Sequence, residues 1–192
     1  MNCHDRQKNG FTLVELVIAL TISILIFLIV IASYDFNQKL YSDIDTRSEI
    51  IQNGRVIIDR LVREVRQAQK MVTNLPPDTS DPDNLPDEII FQDGHDNSVI
   101  KYIRYYLTGS DLKRQVIAYY FADDPDNYVY WDATDNADPH GPPTMIVLED
   151  RVIGEYVDDV EFWGNKLINI NIYLYKNNHS EIINTAVYGR NL

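Results

Sequence analysis

Residues 11–33 read FTLVELVIALTISILIFLIVIAS, and the rest of the chain is organised around this stretch. As a helix rising about 1.5 Å per residue it spans roughly 35 Å, enough to cross the hydrocarbon core of a bilayer. It contains neither Pro nor Gly, so nothing in it favours a kink. Ahead of it lies MNCHDRQKNG, in which Arg6 and Lys8 outnumber Asp5. Behind it Asp35, Asp43 and Asp45 outnumber Lys39. The positive-inside rule then places the N-terminus in the cytoplasm and everything after Tyr34 on the far side. A secretory signal peptide would have a shorter apolar core followed by a small-x-small cleavage site, and Ile31-Ala32-Ser33 is a poor one.

Glu15 does not belong in an ordinary anchor. It sits five residues into the apolar run, where a carboxylate costs about 2.5–3.5 kcal/mol at the helix centre and usually marks function. The plainer reading is that it lies near the headgroups and snorkels out. A cut between Gly10 and Phe11 would create a free α-amino group four residues from Glu15. That ammonium and the carboxylate of a neighbouring copy could neutralise each other in a helical assembly.

The run Gly10-Phe11-Thr12-Leu13-Val14-Glu15, with basic residues before it and an uninterrupted apolar helix after it, resembles the processing motif of type IV prepilins and type II secretion pseudopilins. The resemblance implies that a prepilin peptidase cuts between Gly10 and Phe11 and methylates the new N-terminal Phe11. It implies that Glu15 registers each incoming subunit on its neighbour. The implied partners are that peptidase, other major and minor pilins or pseudopilins, and an assembly platform in the membrane. The implied location is the bacterial inner membrane, single-pass, N-terminus cytoplasmic and head periplasmic or extracellular, and then the filament. A plain single-pass anchor would need neither Gly10-Phe11 nor Glu15.

The helical pattern continues beyond residue 34. Ile44, Ile51, Ile58 and Val65 recur every seven residues, with Leu40, Leu61 and Ala68 on the same side. Asp43, Arg47, Gln52, Asp59, Arg63 and Arg66 lie opposite, and Asp59 with Arg63 forms an i,i+4 pair in the favourable order. The expectation is one nearly continuous helix from about Phe11 to Val72. Its first part, 11–33, would lie in the membrane or filament core, and its amphipathic extension, 34–72, would rest one face on a sheet. A coiled coil is disfavoured by Arg47, Ser48 and Gly54 at intervening positions.

Residues 73–192 read as the head. NLPPDTSDPDNLPDE, 74–88, is crowded with prolines and acids and reads as an exposed loop. Strands are expected at Ile89–Gln92, at Val99–Leu107 and Leu112–Phe121 flanking a Gly109-Ser110 turn, at Met145–Leu148, and at Val157–Trp163. Ile168, Ile170, Ile172 and Leu174 alternate with polar residues as a half-buried strand does, and Lys176-Asn177-Asn178-His179 turns the chain into a last strand, Glu181–Tyr188. The segment from Asp123 to Pro143 reads as a polar loop with a short edge strand at Tyr128-Val129-Tyr130-Trp131. The fold class is therefore α+β: a long N-terminal helix on a mainly antiparallel sheet, with one sheet face wet.

Helix segment SEIIQNGRVIIDRLVREVRQAQ, 48–69, resembles minor pilins of the W type and minor pseudopilins of the J type. So do Ile100-Lys101-Tyr102, Leu112-Lys113-Arg114 and Gly189-Arg190-Asn191. The resemblance implies a minor subunit, in a priming or tip complex.

The formal net charge of −12 argues against nucleic-acid binding, which needs clustered Lys and Arg. The single cysteine, Cys3, lies in the leader, 1–10, so the processed chain would have no thiol ligand. His4, His95, His140 and His179 fall in the leader or in expected loops, outside any zinc spacing. No catalytic constellation is present, and no cofactor is implied. Asp124, Asp126 and Asp132, with Asp135 and Asp138 nearby, could gather oxygen ligands for calcium but lack EF-hand spacing. Besides the structural reading, the sequence leaves open a filament-borne binding module that captures a secreted substrate or a surface.

Overall fold

The computed structural model describes residues 12–81, 84–95, 98–134 and 141–190. The chain divides into two compact units, one ending at Asp45 and one beginning at Thr46. Helix α1, Leu13–Gln67, supplies the first unit and enters the second.

Between Glu15 and Asp35 α1 carries no charged residue and is apolar on every side but for Thr21, Ser23, Ser33 and Tyr34. Large side chains from Leu13 to Ile31 are all exposed. Among the described residues α1 is the one helix long and apolar enough to cross a membrane. A helix with no polar face finds its partner in lipid or in other apolar helices, because its backbone is already satisfied within the helix.

In the second unit α1 buries Thr46, Ile50, Gly54, Ile57, Leu61, Glu64 and Val65. Leu61, Val65 and Ala68 are buried as expected, but up to residue 58 the face is turned one residue back from the expected heptad. Ile51 and Ile58 are only half-buried, and Ile44 is 53% exposed. The rotation has two causes that counting apolar residues does not see. A Cβ on Gly54 would stand 2.1 Å from Ile183 Cδ1 and 2.6 Å from Leu174 Cδ1, so the backbone itself meets the sheet there. Glu64 is drawn inward by partners of its own, described below.

The helix ends at Gln67, short of the expected Val72. Ala68 N–H closes a tighter turn onto Val65 O at 3.2 Å, and the chain then runs beside β1. Val72 N–H donates to Ile90 O at 2.9 Å, and Gln92 N–H donates to Lys70 O at 2.8 Å. Residues 69–73 are thus committed to covering a sheet edge, which a helical backbone could not do.

Eight strands follow among the described residues, and all their pairings are antiparallel: β1 Ile89–Gln92, β2 Tyr102–Thr108, β3 Asp111–Phe121, β4 Asp124–Val129, β5 Thr144–Gly154, β6 Val157–Gly164, β7 Leu167–Lys176 and β8 His179–Tyr188. They form two sheets rather than one. The first holds β1 to β5 and the second runs β6-β7-β8. Strand β3 has two edges, and β5 occupies one of them from Leu112 to Tyr120. The other is shared: β2 takes Asp111 to Ile117, and β4 takes Tyr119 to Phe121. The sheets part at Glu155-Tyr156, where Tyr156 has φ 63° and Val157 N–H turns to Ser110 O at 2.9 Å.

The expected hairpins form at both marked turns. Gly109, at φ 63°, joins β2 to β3. Asn177 and Asn178, at φ 48° and 66°, supply the two positive φ values of a type I′ turn between β7 and β8. Ile168, Ile170, Ile172 and Leu174 are buried as their alternation requires. They pack with Val160, Phe162, Ile50, Ile57, Leu61 and Val65 in one core that also takes in Ile89, Phe91, Ile103 and Tyr105.

Two expectations in the head need correction. The segment after Asp123 is not loop throughout: β4 begins at Asp124 and ends at Val129, leaving Tyr130 and Trp131 outside it. Strand β5 is longer than Met145–Leu148, continuing through Glu149-Asp150-Arg151 to Gly154. Those charges are tolerated because β3 offers partners: Asp150 accepts from Gln115 Nε2 at 3.1 Å, and Lys113 Nζ lies 3.9 Å away.

Candidate functional site

The candidate site is the first turn of α1. Gly10 and Phe11 lie outside the described residues, whereas Thr12 and Glu15 are placed. Thr12 stands just before the helix and Glu15 in its first turn. Glu15 N–H donates to Thr12 Oγ1 at 3.3 Å, and Thr12 N–H donates back to Glu15 Oε2 at 2.9 Å. The Thr12 hydroxyl also donates to Glu15 Oε2, at 3.1 Å. This reciprocal pair is a capping box, which satisfies two backbone donors that the start of a helix leaves open. A carboxylate is also favoured at this end by the helix dipole. Its signature, Thr-x-x-Glu ahead of an apolar run, is legible in the sequence as Thr12-Leu13-Val14-Glu15. Reading Glu15 only as a misplaced charge overlooks it.

Both contacts to the Glu15 side chain fall on Oε2, and Oε1 has no partner among the described residues. The carboxylate therefore has a locally held oxygen and an oxygen with no donor among the described residues.

The head has a buried charged cluster. Glu64 and Arg114 are 7% and 9% exposed. Arg114 Nε donates to Glu64 Oε2 at 2.9 Å and Oε1 at 3.1 Å, and Tyr105 OH donates to Oε2 at 2.6 Å. Arg60 Nε, 3.5 Å from Oε1, adds an i,i+4 contact, and Glu149 lies 3.4 Å from Arg114 Nη1. Burial, with the adjacent Glu64 charge, drives the Tyr105 phenol far above its usual range, so it stays a donor. Burial alone would lower the Arg114 guanidinium, but its bond to Glu64 and the neighbouring charges hold it above its ordinary value. Every group in the cluster is bonded to another, which makes it a strut between α1, β2 and β3 rather than a reactive centre.

The other candidate residues are dispersed. Asp124 accepts twice from Asn127 Nδ2, at 2.8 and 3.0 Å, from within β4. Asp132 pairs with Lys70 Nζ at 2.8 Å, and Asp126 lies on β4. Asp135 and Asp138 lie outside the described residues. Among the described residues no three His, Cys, Asp or Glu side chains are grouped to hold a metal ion. His95 contacts Asp93 at 3.1 Å and His179 opens β8, while His4 and His140 lie outside the described residues. The expected Asp59–Arg63 pair does not close, and Arg60–Glu64 forms instead. Asp59 and Arg63 line an open groove of about 600 Å³ with Ile58, Val62, Arg66 and Arg190.

A family profile described as the prokaryotic N-terminal methylation motif matches residues 5–33. The match takes in Gly10-Phe11, the Thr12–Glu15 box and the apolar part of α1 up to Ser33. It supports a subunit of the type IV pilin or pseudopilin kind, a kind that is generally non-enzymatic. A motif of this type implies processing by a prepilin peptidase and assembly with other pilins. With the apolar helix, it points to anchoring in the inner membrane. No curated protein and no solved structure matches the chain.

Proposed function

We propose that this chain is a minor pilin or pseudopilin, a structural subunit of the priming or tip complex of a type IV pilus or type II secretion filament. The observation that carries the reading is the Thr12–Glu15 box at the head of an apolar helix, lying inside the matched methylation motif. In this reading residues 1–10 are a leader removed by the peptidase, and Phe11 becomes the methylated N-terminus. The helix up to residue 33 waits in the inner membrane with the head on the far side. It then moves into the filament core.

The chemistry of assembly follows from Glu15. An unpaired carboxylate among apolar helices is costly, and an ammonium is its natural complement. The Phe11 ammonium of a neighbouring subunit would meet Oε1 while Thr12 keeps Oε2. Each incoming subunit then has one axial position at which both charges are neutralised, and apolar packing along Val14 to Ile31 fills in around it. Minor rather than major rank rests on the J-type and W-type likeness of the 48–69 helix and the short strand motifs.

The test is the intact mass of the membrane-extracted chain after co-expression with a prepilin peptidase. Loss of residues 1–10 together with the gain of one methyl group is expected. A chain that keeps its leader in the presence of active peptidase overturns the reading and leaves a permanent anchor.

A further inference from the structure

Strand β5 pairs only with β3, and its other edge has no backbone partner among the described residues. The outer edges of β1 and β6 are covered, and that of β4 is short. That of β1 is covered by residues 69–73, and β6 is partly capped by Pro86 O, which accepts from Phe162 N–H, and Pro76 O, which accepts from Gly164 N–H. The outer edge of β8 is likewise without a backbone partner among the described residues, but polar side chains at His179, Ser180, Glu181, Asn184 and Thr185 are spread along it. A long edge left bare is a template for another strand, and soluble proteins blunt such edges with charge, Pro or a cover.

The first half of β5 has none of these. Met145, Ile146, Val147 and Leu148 are 45, 39, 43 and 41% exposed. Successive side chains point to opposite faces, so neither face of the sheet is covered here. The charges come only afterwards and are engaged within the chain. Glu149 accepts from Arg151 Nε at 2.9 Å, and Asp150 accepts from Gln115. The register with β3 shifts between Val116 and Ile117, so Leu148 is an extra residue that bends the strand between its apolar and charged halves.

Only an extended strand satisfies the alternating N–H and C=O groups of an edge. We propose that the occupant is β5 of a second copy of this chain, laid antiparallel along Thr144–Leu148. The apolar half is self-complementary. With Ile146 opposite its own copy, Met145 faces Val147 and Thr144 faces Leu148, and no like charges meet. Registers centred on Glu149 or Asp150 set that carboxylate against its own copy, which cross-strand pairing disfavours. The resulting contact is isologous, with the same patch on both copies, so it closes at two. The pairing is a property of the head and does not depend on leader processing or on the filament reading.

The experiment uses the full chain in detergent and in membranes, with Cys3→Ser as background. The variant Ile146→Cys is expected to give a disulfide-linked dimer on mild oxidation, while the exposed control Tyr175→Cys stays single. Light scattering of the background protein should show two copies per particle, and Val147→Lys should return it to one with an unchanged circular dichroism spectrum. Cross-linking no greater than the Tyr175→Cys control overturns the proposal. So does a dimer indifferent to Val147→Lys, which would place self-association elsewhere, and so does cross-linking to a different polypeptide in place of a second copy.

Discussion

Thr12 and Glu15 each supply what the other's backbone lacks, and the arrangement would be indifferent to a cut after Gly10. The Thr12 N–H belongs to the peptide bond with Phe11, which a cut after Gly10 leaves intact. Two roles of Glu15 can therefore be separated by substitution. Glu15→Gln keeps an oxygen for the Thr12 N–H and removes the charge, whereas Glu15→Leu removes both. If the charge registers subunits, both variants should be cleaved and methylated normally, and both should be depleted from sheared filaments. The depletion should be roughly tenfold or more, because an ion pair replacing an unpaired membrane carboxylate is worth at least about 1.4 kcal/mol. Recovery of Glu15→Gln at the wild-type level would assign Glu15 to helix capping alone. The measurement is the ratio of filament-borne to membrane-borne chain.

At the scale of elements, the contact between α1 and the second sheet is set by Gly54. Alanine there adds a methyl group into the space of Ile183 Cδ1 and Leu174 Cδ1. Those atoms are the ends of flexible side chains, so the helix can yield slightly, but overpacking of this kind costs about 1–3 kcal/mol. The gain in helix propensity from Gly to Ala, about 1 kcal/mol, opposes it. Gly54→Ala is expected to be destabilising on balance and Gly54→Leu strongly so, as read by urea unfolding. A more stable Gly54→Ala would mean that the helix sits further from the sheet. This position also explains what the sequence discloses and what it hides. The alternation in β7 and the Asn177-Asn178 turn are legible because each depends on neighbours in the chain. The buried face of α1 is misread by one residue because Gly54 is buried for its lack of a side chain and Glu64 for its distant partners. The charged second half of β5 hides a strand for the same reason, since its partners lie on β3. The Thr12–Glu15 box is local, and its spacing alone declares it.

At the scale of the molecule, the buried apolar core begins at Ile50 and is closed within the second unit. A fragment comprising residues 46–192 is therefore expected to fold without the apolar half of α1. It should be recovered without detergent, with a single cooperative urea transition by both fluorescence and circular dichroism. A broad transition, or one that differs between the two probes, would show that the head needs the rest of the helix. Within that unit Ile50, Ile57, Leu61 and Val65 are chemically alike and do not by themselves single out one position of the helix; Gly54 resists a one-turn slide by its close approach to Ile183 and Leu174. The bonded trio of Glu64, Arg114 and Tyr105 is not permissive, since a one-turn slip would leave a carboxylate and a guanidinium both buried and alone. The trio thus acts as a key cut for one position of one lock. Its worth lies less in holding the helix down than in allowing it only a single place to lie.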